Sequence, residues 1–101
     1  MAKKNINRLQ SGGKMYVIVV YDAAPKRGVK LMKFLRQHLN WVQNSVFEGE
    51  LTESGFENLK HGIKDIINDK KDSVIYYRFD SQNYHDRGII GVEKNEIDSF
   101  I

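Results

Sequence analysis

Hydrophobic residues recur along the first half of the chain with two different periods. Residues 15–21 (MYVIVVY) contain four consecutive β-branched residues, which predict a buried strand. Beyond Pro25 and Gly28, apolar residues return at helical spacing, and lysines occupy the opposite side. This pattern predicts an amphipathic helix, whose apolar positions are Leu31, Met32, Leu35 and Leu39.

The second half predicts further strands around one more helix. Residues 41–51 (WVQNSVFEGEL) favour two short strands that reverse either at Asn44-Ser45 or at Glu48-Gly49. The sequence SGFE, from Ser54 to Glu57, fits a capping box and opens a helix with an apolar side. Strands are then predicted at 73–79 (SVIYYRF) and 88–92 (GIIGV), with a loop between them over residues 80–87.

This order of elements predicts an α+β fold of the ferredoxin-like type. With right-handed crossovers, βαββαβ gives a four-stranded antiparallel sheet with both helices on one face. Valine and isoleucine side chains would be exposed on the other face, so we expect a homodimer that stacks sheet to sheet. Residues 88–92 have no place among the four strands, and we expect them to form a short fifth strand that pairs with an edge strand of the partner.

Composition limits the class of protein and the compartment. A chain of 101 residues is the size of one domain, and the absence of cysteine excludes disulfides and thiolate metal sites. No apolar stretch approaches the roughly 18 residues of a membrane span. We therefore expect a cytoplasmic protein with no membrane contact, consisting of a flexible basic leader (residues 1–14) and a single domain (residues 15–101).

Positive charge is concentrated in two places along the chain. The leader contributes four of the 16 basic residues, which leaves 12 basic against 13 acidic residues in the remainder. Residues 23–47 contain no aspartate or glutamate. Their basic side chains could form a phosphate-binding stripe or a solvated helix face, and we take them as candidate nucleic-acid-binding residues: Lys26, Arg27, Lys30, Lys33 and Arg36.

Two short motifs give the chain a specific resemblance. Tyr21-Asp22 closes the first strand, and QNSVFEG spans Gln43 to Gly49. With the basic helix and the later DSVIYYRF, these motifs resemble the second of the two core CRISPR-associated adaptation proteins, a family of small dimeric metal-dependent endoribonucleases. The resemblance covers residues 15 to about 91, which is essentially the whole domain.

The resemblance implies a biological role and a set of partners. Members form two-fold dimers of ferredoxin-like subunits that bind the CRISPR integrase and hold duplex DNA during spacer acquisition. The family's endonuclease activity makes RNA, including single-stranded RNA, or DNA the implied substrate. Lysines and arginines that contact the phosphate backbone would bind the DNA duplex of spacer acquisition without reading its bases.

The resemblance also implies roles for individual residues. Tyr21 and Asp22 match the metal and catalytic pair of the family, and Ser45 and Phe47 match its Ser-x-Phe motif. One carboxylate cannot hold Mg²⁺ or a similar divalent cation, but two copies of Asp22 with water and phosphate could do so. Some members carry an arginine where this chain has Trp41, so a catalytic arginine is absent at that position.

Each of these interpretations has an alternative. Asp22 could cap the first helix, and Ser45 and Phe47 could be ordinary turn and core residues. A nucleophilic serine is not supported, because no histidine is predicted nearby. Three functions remain open: a scaffold for spacer integration, a metal-dependent nuclease, and a toxin-like RNA interferase of the related ferredoxin-like group. An RNA-recognition module is discounted because its aromatic motif is missing.

Overall fold

The computed structural model describes residues 14–80 and 85–94. Most of the predicted leader (residues 1–13), part of the predicted loop (residues 81–84) and residues 95–101 lie outside the described residues. Five strands and two helices follow one another in the described part of the chain: β1 (Met15–Asp22), α1 (Pro25–Arg36), β2 (Asn40–Gln43), β3 (Val46–Leu51), α2 (Glu53–Ile66), β4 (Ser73–Phe79) and β5 (His85–Gly91).

The strands form one sheet in the order β2-β3-β1-β4-β5, and every neighbouring pair is antiparallel. The order of the first four strands is that of a ferredoxin-like sheet, as the sequence predicts. The β-branched run of β1 lies at the centre, between β3 and β4. The reversal between β2 and β3 occurs at Asn44-Ser45, where Asn44 adopts a φ of 46° that asparagine tolerates better than most residues.

The fifth strand differs from the prediction in two ways. It begins at His85 and not at Gly88, and it has a place in the sheet of its own chain, beside β4. Pairing with a strand of a partner stays a prediction. The first residues of β5 are polar, so the sequence pattern does not indicate a strand there. Asp86 lies opposite Arg78 on β4 and forms an ion pair with it, with 3.3 Å between Arg78 Nη2 and Asp86 Oδ2. Cross-strand ion pairs of this kind stabilise an edge strand.

The two helices cover one face of the sheet. Leu31 and Leu35 of α1 are fully buried, whereas the lysines of this helix are exposed, as the periodicity predicts. The predicted capping box is wrong by two residues: Thr52 is the N-cap of α2, and its hydroxyl accepts a hydrogen bond from the Gly55 N–H at 3.0 Å. Glu57 therefore lies within the helix and does not close a box.

The helices approach each other closely at Gly62. A Cβ atom at this position would overlap the ring of Phe34 on α1, so glycine allows contact between the two helices. The core lies between this helix layer and one face of the sheet. It consists of alternate strand residues packed on apolar helix residues, among them Val17, Val19, Leu35, Phe47, Phe56, Leu59, Ile63 and Val74.

The opposite face of the sheet is partly bare. Residues alternate along β1, so Tyr16, Ile18 and Val20 lie on this face, and Tyr16 remains 38% exposed. Val20 is level with Ile75 on β4, and Ile18 is level with Tyr77, which extends an apolar surface across the centre of the sheet. Among the described residues, no helix is long and apolar enough to cross a membrane.

Candidate functional site

Tyr21, Ser45 and Phe47 lie together at the end of β1. The Tyr21 backbone N–H donates to the Ser45 carbonyl at 3.2 Å, and the Tyr21 ring stacks on Phe47 with 6.3 Å between centroids. Burial raises the pKa of the Tyr21 phenol, while a hydrogen bond with the Ser45 side chain acts in the opposite direction. Phe47 is fully buried, so its side chain does not face a ligand directly and would act through packing, including its contact with Tyr21.

Asp22 ends β1 on the opposite face of the sheet from Tyr21, because successive strand residues alternate. Its side chain is 63% exposed, and its carboxylate lies 3.7 Å from the Lys94 ammonium. Ala24 is the N-cap of α1, and no side-chain hydrogen bond caps this helix. Asp22 therefore does not serve as the cap, which was the structural alternative for this residue. Its carboxylate remains accessible at the end of the sheet.

Asp72 organises the chain next to Asp22, and sequence reasoning missed it. Its side chain is only 1% exposed and accepts hydrogen bonds from the Ala24 N–H at 3.3 Å and the Asn68 N–H at 2.9 Å. The Arg27 guanidinium donates to both carboxylate oxygens. These donors, led by Arg27, lower the pKa of Asp72 from 3.8 to about 2. One buried carboxylate thus fixes the loop that follows Asp22 and the first turn of α1.

The predicted basic stripe divides into two groups. Four of its side chains are on the exposed surface of α1: Lys26, Lys30, Lys33 and Arg36. Arg27 is different, because its guanidinium is paired with Asp72 and only 29% of its side chain is exposed. The hydrogen bond to Asp72 also raises the pKa of Arg27. Its first partner is therefore within the chain, and the other four cations are better placed to meet a phosphate.

One chain does not supply a complete metal site within residues 14–80 and 85–94. No group of three or more histidine, cysteine, aspartate or glutamate side chains comes together in this part of the chain. Asp72 is close in the fold to the end of β1, but Arg27 and two backbone N–H groups already occupy its oxygens. Asp22 is thus the available carboxylate of this site, and a hard divalent cation would need oxygens from elsewhere.

The sequence profile of the family described as CRISPR associated protein Cas2 matches residues 15–87. The chain belongs to the Cas2 family. The matched region runs from the first residue of β1 into β5, so it includes Tyr21, Asp22, Ser45 and Phe47. The family assignment made from the Tyr21-Asp22 and QNSVFEG motifs is confirmed.

Individual Cas2 proteins are similar over nearly the whole chain. A protein from Methanocaldococcus jannaschii named CRISPR-associated endoribonuclease Cas2 is 53% identical over 98 residues, which cover 97% of this chain and 86% of that protein. A protein of the same name from Pyrococcus furiosus is 53% identical over 87 residues and is covered completely, with 86% of this chain aligned. A crystal structure of a Cas2 protein superposes with a TM-score of 0.65 at 40% identity, covering 83% of this chain and 94% of that one.

Proposed function

We propose that this chain acts in CRISPR adaptation as a homodimer with a metal-dependent endonuclease site shared between its subunits. In this role the dimer bridges the CRISPR integrase and holds duplex DNA while a new spacer is inserted. The nuclease site cleaves RNA or DNA. Membership of a CRISPR-associated family favours this role over that of a toxin-like RNA interferase.

The observation that carries the nuclease proposal is the position of Asp22. It follows Tyr16, Ile18 and Val20 on the partly bare face of the sheet, so the face that would bind a second copy also carries the carboxylate. A two-fold axis near this end of β1 would bring two Asp22 side chains together, because residues close to the axis of an isologous interface lie near their own copies. Two carboxylates with water and a phosphate oxygen match the oxygen ligands that Mg²⁺ prefers.

The other residues of the site have supporting roles in this proposal. Tyr21 and Ser45 fix the end of β1 against the β2–β3 turn, and Asp72 fixes the loop on the other side of Asp22. They are positioning residues. Lys26, Lys30, Lys33 and Arg36 would bind backbone phosphates of the nucleic acid without reading its sequence. A divalent cation bound by the two carboxylates would polarise the phosphodiester and lower the pKa of a bound water.

The experiment that tests nuclease activity is a cleavage assay with purified protein. A labelled single-stranded RNA and a labelled DNA duplex are incubated with Mg²⁺ or with EDTA. We expect cleavage only with Mg²⁺, and we expect Asp22→Asn to abolish it while Asp69→Asn, an exposed aspartate elsewhere, retains it. If the Asp22→Asn protein cleaves at the same rate as the unaltered protein, the assignment of Asp22 to the metal site is refuted.

The scaffold role makes a separate prediction. Asp22→Ala is expected to keep the dimer, duplex binding and spacer integration in the presence of the integrase, because those activities use surfaces other than the carboxylate. Sedimentation, duplex-binding titration and an integration assay measure the three properties. A monomer at working concentration would remove the basis of both the shared nuclease site and the bridging role.

A further inference from the structure

Trp41 is unusually exposed for its residue type. It lies on β2, the edge strand of the sheet, and 51% of the residue is accessible to solvent. Tryptophan carries the largest side chain, and burying it contributes strongly to stability. Trp41 is level with Phe47 on β3, and paired residues of antiparallel strands share a face. The indole therefore lies on the helix side of the sheet, beyond the part that α1 and α2 cover.

A hydrogen bond holds the indole in place despite its exposure. The Trp41 Nε1–H donates to the carbonyl of Asn44 at 3.0 Å, which ties the ring to the β2–β3 turn. The next residue in this turn, Ser45, accepts the Tyr21 N–H. The ring is thus fixed to the same turn that contacts the candidate site. A ring held in this way loses little conformational freedom when a ligand packs on it.

The sequence segment that contains Trp41 carries only positive charge, which favours a negatively charged ligand. Residues 23–47 contain no acidic side chain, and α1, which leads into β2, exposes cations on its surface. The indole is also on the face opposite Ile18 and Val20, so it stays accessible if two copies stack through the partly bare face. With inter-strand spacings of about 4.8 Å, β2 lies roughly 10 Å from β1, and Trp41 is level with Val19, on the opposite face of the sheet from Asp22.

We propose that Trp41 is a stacking platform for an unpaired base of a single-stranded nucleic acid whose phosphates contact the cations of α1. The proposal rests on the proposed function, because it adds a contact to the nucleic acid on which that function acts. An aromatic ring beside a positively charged surface is the arrangement that binds single strands with little sequence preference. A base inside a duplex is already stacked on both faces, so the platform selects single-stranded over double-stranded substrates.

The test uses Trp41 as its own reporter, since it is the sole tryptophan of the chain. Full-length protein in EDTA is titrated with a 15-nucleotide single-stranded RNA and with the same RNA annealed to its complement. We expect the single strand to quench tryptophan emission and the duplex to leave it nearly unchanged. In parallel, fluorescence anisotropy of a labelled single strand is expected to show roughly tenfold weaker binding for Trp41→Ala.

Two further variants separate stacking from structural effects. Trp41→Phe keeps an aromatic face but loses the indole N–H, and we expect it to retain most of the affinity that Trp41→Ala loses. Val42→Ala removes an exposed apolar side chain from the next position of the same strand and is expected to bind like the unaltered protein. Circular dichroism checks that each variant keeps its fold.

Several outcomes would overturn the proposal. The first is equal affinity of Trp41→Ala and the unaltered protein for the single strand, and the second is an equal loss of affinity in Trp41→Phe and Trp41→Ala. The others are tryptophan emission that does not change when the single strand binds, and no binding of the single strand at all. None of these measurements depends on cleavage. If the unaltered protein shows quenching with the single strand but no Mg²⁺-dependent cleavage, the nuclease proposal is refuted and the stacking proposal is not.

Discussion

Replacing Asp72 by asparagine tests whether one buried carboxylate fixes the loop that follows Asp22. Its oxygens accept hydrogen bonds from the Ala24 N–H, the Asn68 N–H, and Nε and Nη2 of Arg27. An asparagine side chain has one oxygen and one NH₂ group, so half of these donors would face another donor. The negative charge that balances Arg27 would also be lost. We therefore expect Asp72→Asn to destabilise the fold and loosen the β1–α1 loop.

The magnitude follows from the pKa of Asp72. A pKa lowered from 3.8 to about 2 corresponds to roughly 2.5 kcal/mol of preferential stabilisation of the charged form. The Arg27 side chain is 29% exposed, so water screens part of this interaction. Adding the cost of mismatched donors, we expect a loss of about 2–3 kcal/mol at pH 7 and a Tm lower by roughly 10–20 °C.

The stabilising contribution of Asp72 should decrease as the pH falls. The folded state lowers the pKa of Asp72, so its stabilising contribution is fully present above about pH 4 and is lost as the pH falls towards about 2. At pH 3 about half of the contribution should remain. The difference in unfolding free energy between the unaltered protein and Asp72→Asn should therefore shrink by about 1 kcal/mol between pH 7 and pH 3.

Urea unfolding at pH 7, 5, 4 and 3 measures this difference. Asp69→Asn, an exposed aspartate in the same loop, is the matched control and should change stability by less than about 0.5 kcal/mol at every pH. A constant difference between the Asp72→Asn protein and the unaltered protein from pH 7 to pH 3 would refute the electrostatic explanation. Equal stability of the two proteins at pH 7 would refute the structural role as well.

Three further predictions concern the rest of the fold. Gly62→Ala should lower the unfolding free energy by about 1 kcal/mol, because overlap with Phe34 outweighs the gain in helix propensity. Urea unfolding with and without Phe34→Leu checks this, and the second change should restore part of the loss. Thr52→Ala should cost about 1 kcal/mol through loss of the α2 cap, and an unchanged Tm would contradict it. Lys94→Gln should shift stability by less than about 0.5 kcal/mol, because its ion pair with Asp22 is exposed, and thermal unfolding tests this.

Much of the fold follows from local patterns in the sequence. The β-branched run of β1 and the apolar repeat of α1 each specify one element, and the order of elements then fixes the sheet. The same topology brings Ser45 next to Tyr21, because β2 runs in the direction of β1 and both end at the same edge of the sheet. The neighbourhood of these two residues could therefore be predicted without coordinates.

Contacts between distant residues could not be predicted in this way. Asp72 lies in NDKKD, which looks like an ordinary loop, and its partner Arg27 is 45 residues away in the sequence. The sequence pattern therefore groups Arg27 with the solvent-facing lysines. The beginning of β5 was missed for a similar reason, since Asp86 gains its place in a strand from the pair with Arg78. A buried polar partner leaves no periodic signal in the sequence, although an aspartate just before a strand is one place to look for it.

The edge strand β2 has a consequence for association between chains. It contains only four residues, and its pairing with β3 shifts register between Trp41 and Gln43. An open edge can recruit a strand from a neighbouring molecule when it offers a long, regular row of backbone donors and acceptors. This short, irregular edge offers no such row, so it disfavours fibril-like growth through β2. A change that restored regular pairing there would be expected to promote aggregation, even if it strengthened the sheet.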